Sequence, residues 1–188
     1  MKTRRYSPSV NAGSMADIAF LLLIFFLVAT TISADKGILR KLPSECPSGE
    51  NCSKPLLDRN VLRILINKDN AIMVNEAIVQ LSEVKQLAKD FLDNNGDGAC
   101  DYCNGKKNTT SSQSPQKAII SLQTDPLASY EMFINVQDEL TLAYYDLRLY
   151  YAKSKFNKLP EALSKAELIE VKEAYPFLLS EAKTVRGN

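Results

Sequence analysis

The stretch Met15-Ala16-Asp17-Ile18-Ala19-Phe20-Leu21-Leu22-Leu23-Ile24-Phe25-Phe26-Leu27-Val28-Ala29-Thr30-Thr31-Ile32 is an almost unbroken apolar run with one carboxylate near its start. Read as a helix it rises ~27 Å, close to the ~30 Å hydrocarbon core of a bilayer, so it predicts a membrane span with Asp17 slightly inside it. An ionised Asp costs ~2.5–3.5 kcal/mol at the centre of such a helix and less near an end. Asp17 is therefore expected to be neutral much of the time, or to face a partner rather than lipid. Those are the properties of a proton carrier. Two plainer readings compete. Asp17 could cap the helix N-terminus, where a carboxylate accepts backbone N–H bonds and meets the positive end of the dipole. The run could also be a cleaved signal peptide with Lys2, Arg4 and Arg5 as its basic region, although an internal charge and the bulky Ile32 before Ser33-Ala34 argue against a cleavage site.

Working outward, residues 1–13 form a short basic tail, 14–33 the membrane helix, 34–57 a linker and 58–188 one domain large enough for its own core. With 23 basic and 22 acidic residues the chain has no field that would attract nucleic acid. Lys2, Arg4 and Arg5 before the span are matched by Lys36, Arg40 and Lys41 after it, so the positive-inside rule gives a tie. Cys46, Cys52, Cys100 and Cys103 all follow the span, which suits an oxidising compartment and places the C-terminal domain outside the cytoplasm. The linker carries Pro43, Pro47, Pro55, Gly37 and Gly49 and could reach ~80 Å when extended.

Beyond the linker, Val61 to Asn67, a Lys68-Asp69-Asn70 turn and Ala71 to Asn75 predict a hairpin. Leu81, Val84, Leu87, Ala88 and Phe91 predict a helix beginning near Ser82, and Lys117 to Thr124 a buried strand. Asp125-Pro126 predicts the next helix start, with Asp125 as cap and Pro126 at the first position. That long helix would set Tyr130, Phe133, Ile134, Leu140, Tyr144, Leu147 and Tyr151 on one face as core or subunit contact. Pro160 and the Ser164-Lys165-Ala166-Glu167 capping box announce a last helix ending before Pro176. The fold class is α+β: a transmembrane helix followed by a small two-layer α/β domain.

The block Asn11-Ala12-Gly13-Ser14-Met15-Ala16-Asp17 with the apolar run after it resembles the membrane segment of the ExbD/TolR family, biopolymer transport proteins of bacterial inner membranes. In that family an Asn precedes the proton-carrying membrane Asp by about six residues; here they are Asn11 and Asp17, with Ser14 between them as support. The hairpin, helix, strand and helix order resembles the family's periplasmic domain. Tyr130 to Leu147, Tyr175-Pro176 and Ser180-Glu181-Ala182 resemble its Bacteroidetes branch. Two departures stand out: the Pro common shortly before the Asp in proteobacterial members is absent, and residues 93–116 look like an insertion.

The resemblance implies a single-pass inner-membrane protein with a cytoplasmic N-terminus and a periplasmic domain. It implies a dimer of such helices within a ring of ExbB-like or TolQ-like subunits, coupled to a TonB-like protein, with protons as the coupling ion and no required cofactor. A TolR-like envelope motor subunit is the neighbouring expectation, and a passive anchored binding domain is the alternative from another class.

The insertion offers that alternative a site. Asp93, Asn95, Asp97 and Asp101, with Gly98 at the turn, follow the first nine positions of a calcium loop, but Asn104 stands where a bidentate Glu is expected. Cys100-x-x-Cys103 has no His to complete a zinc set, because the chain has none, and Cys46 and Cys52 are wrongly spaced for a ribbon; structural disulfides are the expectation, with three connectivities open. Asn108-Thr109-Thr110 matches a glycosylation sequon that carries little meaning in a bacterium. No nucleophile, base and oxyanion set is evident, so no enzyme is expected.

Overall fold

The computed structural model describes residues 11–29 and 56–183. The chain divides into two units, Met1–Cys52 and Ser53–Asn188. In the first, α1 (Ala12–Ala29) is a continuous helix with no buried residue. The linker prolines, Cys46 and Cys52 lie outside the described residues.

The second unit opens with a 3₁₀ turn at Asp58–Asn60, followed by β1 (Val61–Ile66), β2 (Ile72–Val74), β3 (Ala77–Val79), α2 (Leu81–Leu92), β4 (Ile119–Thr124), α3 (Tyr130–Phe156), α4 (Lys165–Ala174) and β5 (Leu179–Lys183). The sheet order is β3-β2-β1-β4-β5. β1, β4 and β5 run parallel, while β2 and β3 are antiparallel additions. The alternation expected of a sheet with one covered face is plain in β1, where Leu62, Ile64 and Ile66 are buried while Val61, Arg63 and Leu65 face the other way. With Ile120 and Leu122 of β4 they form a core against Val84, Ala88 and Phe91 of α2 and Leu140, Tyr144 and Leu147 of α3. This is the two-layer α+β domain that the sequence predicts.

Four details depart from the sequence reading. The hairpin continues into β3 through Asn75 and Glu76, both at positive φ (44° and 73°), the conformation of a two-residue turn that matches strand twist. Asp125-Pro126 does not start α3: the Asp125 carboxylate accepts from Leu127 N–H (2.8 Å) and its carbonyl from Ala128 N–H, closing a turn. Ser129 is the cap instead, its Oγ accepting from Met132 N–H at 3.2 Å. Tyr130, at the mouth of α3, is 75% exposed and leaves the expected core stripe, which Val136 and Ala143 complete. Finally, β5 adds an edge strand.

Candidate functional site

The membrane helix is built to leave its carboxylate unspent. Asn11 caps it: the Asn11 Oδ1 accepts from Gly13 N–H at 3.0 Å and the Asn11 carbonyl from Met15 N–H at 3.3 Å. Gly13 is the neighbour a larger residue would crowd, since a Cβ there would stand 3.2 Å from that same Oδ1. Asp17 sits in the second turn of α1, beyond the reach of the free N–H groups, so it is not the helix cap. Ser14 lies one turn before Asp17, on the same side of the helix. A hydroxyl and a carboxylate thus share a stripe that continues only through apolar residues. α1 is long and apolar enough to cross a membrane. Every described residue of α1 is exposed in this chain alone.

The loop between α2 and β4 has its own architecture. Asn94 is buried, donating to the carbonyls of Asn108 and Ser112 (both 2.8 Å) and accepting from Asn108 N–H at 3.0 Å. Asn60 and Gln113 exchange two hydrogen bonds that tie the loop to the entry of β1. Cys100 and Cys103 are joined in a disulfide and both are buried. Tyr102, between them, donates to the carbonyl of Ala174 at the end of α4 (2.8 Å), and its ring meets those of Tyr151 and Tyr175 edge-on at centroid distances of 4.9 and 5.5 Å.

The oxygens expected to hold calcium are divided among other tasks. Asp93 accepts from the Tyr175 hydroxyl (2.6 Å) and Asn104 N–H (3.0 Å). Burial pushes the Asp93 carboxyl above its usual range, against the pull of these donors. Burial likewise raises the Tyr175 phenol, and the bond to Asp93 raises it further, so it stays a donor. Asn95 is spent on both backbone groups of Cys100. Asp97 accepts from Ala99 N–H and faces Lys117; the Ala99 bond first and then the lysine hold it below the usual carboxylate range. Asp101 is exposed. Among the described residues no group of three or more His, Cys, Asp and Glu side chains is placed to hold a metal. The structure does not gather the four residues into one site.

Sequence reasoning missed the α4 terminus. Arg148 of α3 donates through Nε and Nη2 to the Tyr175 carbonyl (2.9 and 2.7 Å), and burial lowers its pKa. Its spacing on α3 gives no hint of a target so far along the chain.

Among the described residues, one apolar helix is long enough to span a bilayer, and it is followed in the chain by a mixed sheet covered by helices, the pattern of a membrane-tethered α+β domain. The family model described as Biopolymer transport protein ExbD/TolR matches residues 3–153, from before α1 to the last turn of α3. The chain belongs to the ExbD/TolR family, whose members are non-catalytic, inner-membrane-anchored subunits that energise biopolymer transport. Among curated proteins no match to the chain is found.

Proposed function

We propose that the chain is the proton-coupled stator subunit of an ExbB–ExbD-type inner-membrane motor that energises TonB-dependent transport across the outer membrane. The observation that carries this reading is Asp17: a carboxylate in the second turn of an apolar helix whose cap is supplied by Asn11. Ring subunits of the ExbB or TolQ kind would shield it from lipid and offer hydroxyl partners, so that it alternates between neutral and ionised forms. Each charge crossing 100 mV releases about 2.3 kcal/mol, enough to bias the rearrangement of one subunit against another. Asn11 and Ser14 set the helix start and the polar side of the Asp17 stripe. The N-terminus is cytoplasmic and the domain periplasmic, paired with a second copy, where an exposed sheet edge can accept a strand from a TonB-like protein.

The test is uptake of a scarce nutrient through an outer-membrane receptor in cells carrying Asp17→Asn at normal levels and with normal complex assembly. Abolished uptake supports the proton role; retained uptake with an intact outer-membrane barrier sinks it. Sensitivity of the same cells to detergent separates the TolR-like reading, because an envelope motor would lose barrier integrity while uptake continued.

A further inference from the structure

The α2–β4 loop reaches across to the end of α4 through Tyr102. Its hydroxyl donates to the Ala174 carbonyl and accepts from the Gln116 amide, which also reaches that carbonyl at 3.4 Å. Its ring packs edge-on against Tyr151 and Tyr175. The Tyr175 hydroxyl in turn donates back to Asp93, at the start of the same loop. Tyr102 is aimed by a very short cross-link. The Cys100–Cys103 disulfide closes a ring with only Asp101 and Tyr102 between its cysteines. The entropy a disulfide takes from the unfolded chain grows with the loop it closes, so this one is a poor staple for the whole domain. What it fixes is the turn that carries Tyr102. Both flanks of the ring are pinned independently: Asn95 holds both backbone groups of Cys100, and Asp93 accepts from Asn104 N–H. Breaking the bond therefore frees Tyr102 first.

The element with most to lose is β5. It is an edge strand, joined to the sheet through β4, and Leu179 is its one large apolar residue. A strand held by one ladder and little apolar contact opens at low free energy. Its lead-in is fixed by Arg148 on the Tyr175 carbonyl, by the Tyr144 hydroxyl on Leu178 N–H and, through Ala174, by Tyr102.

We propose that Cys100 and Cys103 are a reversible thiol–disulfide site, acted on by a dithiol reductant, whose oxidised form locks β5 over the edge of β4 and whose reduced form releases it. In the exchange a thiolate of the donor attacks one sulfur, forming a mixed disulfide and freeing the other cysteine; the donor's second thiolate then displaces the first. Two electrons and two protons pass to Cys100 and Cys103, and the donor leaves as its own disulfide. Both cysteines are buried, so the donor reaches them when the loop lifts, from the side on which Gly98, Ala99 and Asp101 are exposed. The released edge of Ile119–Thr124 presents unpaired N–H and C=O groups.

The test uses the full chain in detergent with Cys46→Ser and Cys52→Ser, so that one pair titrates in mixtures of reduced and oxidised dithiothreitol. Amide exchange followed by mass spectrometry should be about tenfold faster over residues 177–183 in the reduced protein and unchanged over β1. The link also runs in reverse: to the extent that the disulfide holds Tyr102, Tyr102 holds the disulfide. Tyr102→Ala should therefore shift the exchange equilibrium about tenfold toward the dithiol, ~30 mV for a two-electron couple. Tyr102→Phe, which keeps the ring, should shift it about threefold and carries this arm should the alanine variant fail to fold. Equal exchange over residues 177–183 in both redox forms overturns the proposal. So does loosening of β5 and β1 together, the mark of a staple for the whole domain, or a pair that stays oxidised until the domain melts. An equilibrium that neither Tyr102 variant moves overturns it as well.

Discussion

Replacing Gly105 by Ala measures how firmly the α2–β4 loop is built into the domain. A Cβ at Gly105 would lie 2.2 Å from the Asp93 carbonyl oxygen, 2.5 Å from Asn94 Cα and 2.6 Å from the Asp93 carbonyl carbon. All three are backbone atoms, so no side chain can swing aside; the loop backbone must retreat by more than ~1 Å to reach ordinary contact. That movement pulls on the Gly105 N–H bond to the Asp93 carbonyl (3.0 Å) and on the carboxylate that Tyr175 holds. Overpacking of this kind costs typically 1–3 kcal/mol, and a clash confined to backbone belongs at about 2–3 kcal/mol. At about 3–6 °C per kcal/mol for a domain of this size, the melting temperature should fall by roughly 6–18 °C. Gly98→Ala is the comparison: Gly98 has φ +72° but nothing within 4 Å, so strain alone applies, about 1 kcal/mol. The assay is thermal unfolding of the full chain in detergent, followed by tyrosine near-ultraviolet circular dichroism. Gly105→Ala should alter the native tyrosine signal through Tyr175 and Tyr102, and Gly98→Ala should not. A Gly105→Ala protein melting within about 2 °C of the parent would refute the packed-loop argument.

Beyond the Asp17→Asn experiment, two further outcomes are expected. Tyr102→Phe keeps the ring among Tyr151 and Tyr175 but leaves the Ala174 carbonyl without its 2.8 Å donor, so it should cost roughly 0.5–1.5 kcal/mol in the same melt; no change would mean that Gln116, which also reaches that carbonyl at 3.4 Å, suffices alone. Glu167, held down to about 2 by Lys158 and by the Ser164 backbone and hydroxyl, is ionised and capping α4 at neutral pH. Its contribution is present above the ordinary glutamate value of 4.5 and is lost as pH falls through about 2. Glu167→Gln should therefore flatten that part of the acid-unfolding curve, and an unchanged curve would remove Glu167 from the cap.

The strong periods of the chain were readable in advance: β1, α2, β4 and the α3 core each repeat apolar residues at the interval their element requires. β3 was not, because its turn uses Asn75-Glu76 where glycine would have announced positive φ, and Glu76 at 73° carries no sequence signal. β5 reads Leu-Ser-Glu-Ala-Lys, an edge strand with one large apolar residue, and polar edges look like loops. The Asp125-Pro126 misreading has a local cause: both an Asx turn and a helix cap satisfy the same side chain, and Ser129 was the better placed of two caps. In the membrane segment, sequence pointed to Asp17, but only geometry gave the cap to Asn11. The loop side chains looked like ligands because Asp and Asn serve backbone amides and metals with the same atoms.

The parallel run of β1, β4 and β5 bears on how such a domain carries load. The described residues of the domain begin just before β1 and end with β5, on strands that point the same way. Tension applied between those two points acts along the strands and strains the rungs between β1 and β4 and between β4 and β5 together, as when overlapped tapes are pulled lengthwise rather than peeled. The domain can then transmit a pull as a stiff link, yielding only when a whole ladder slips.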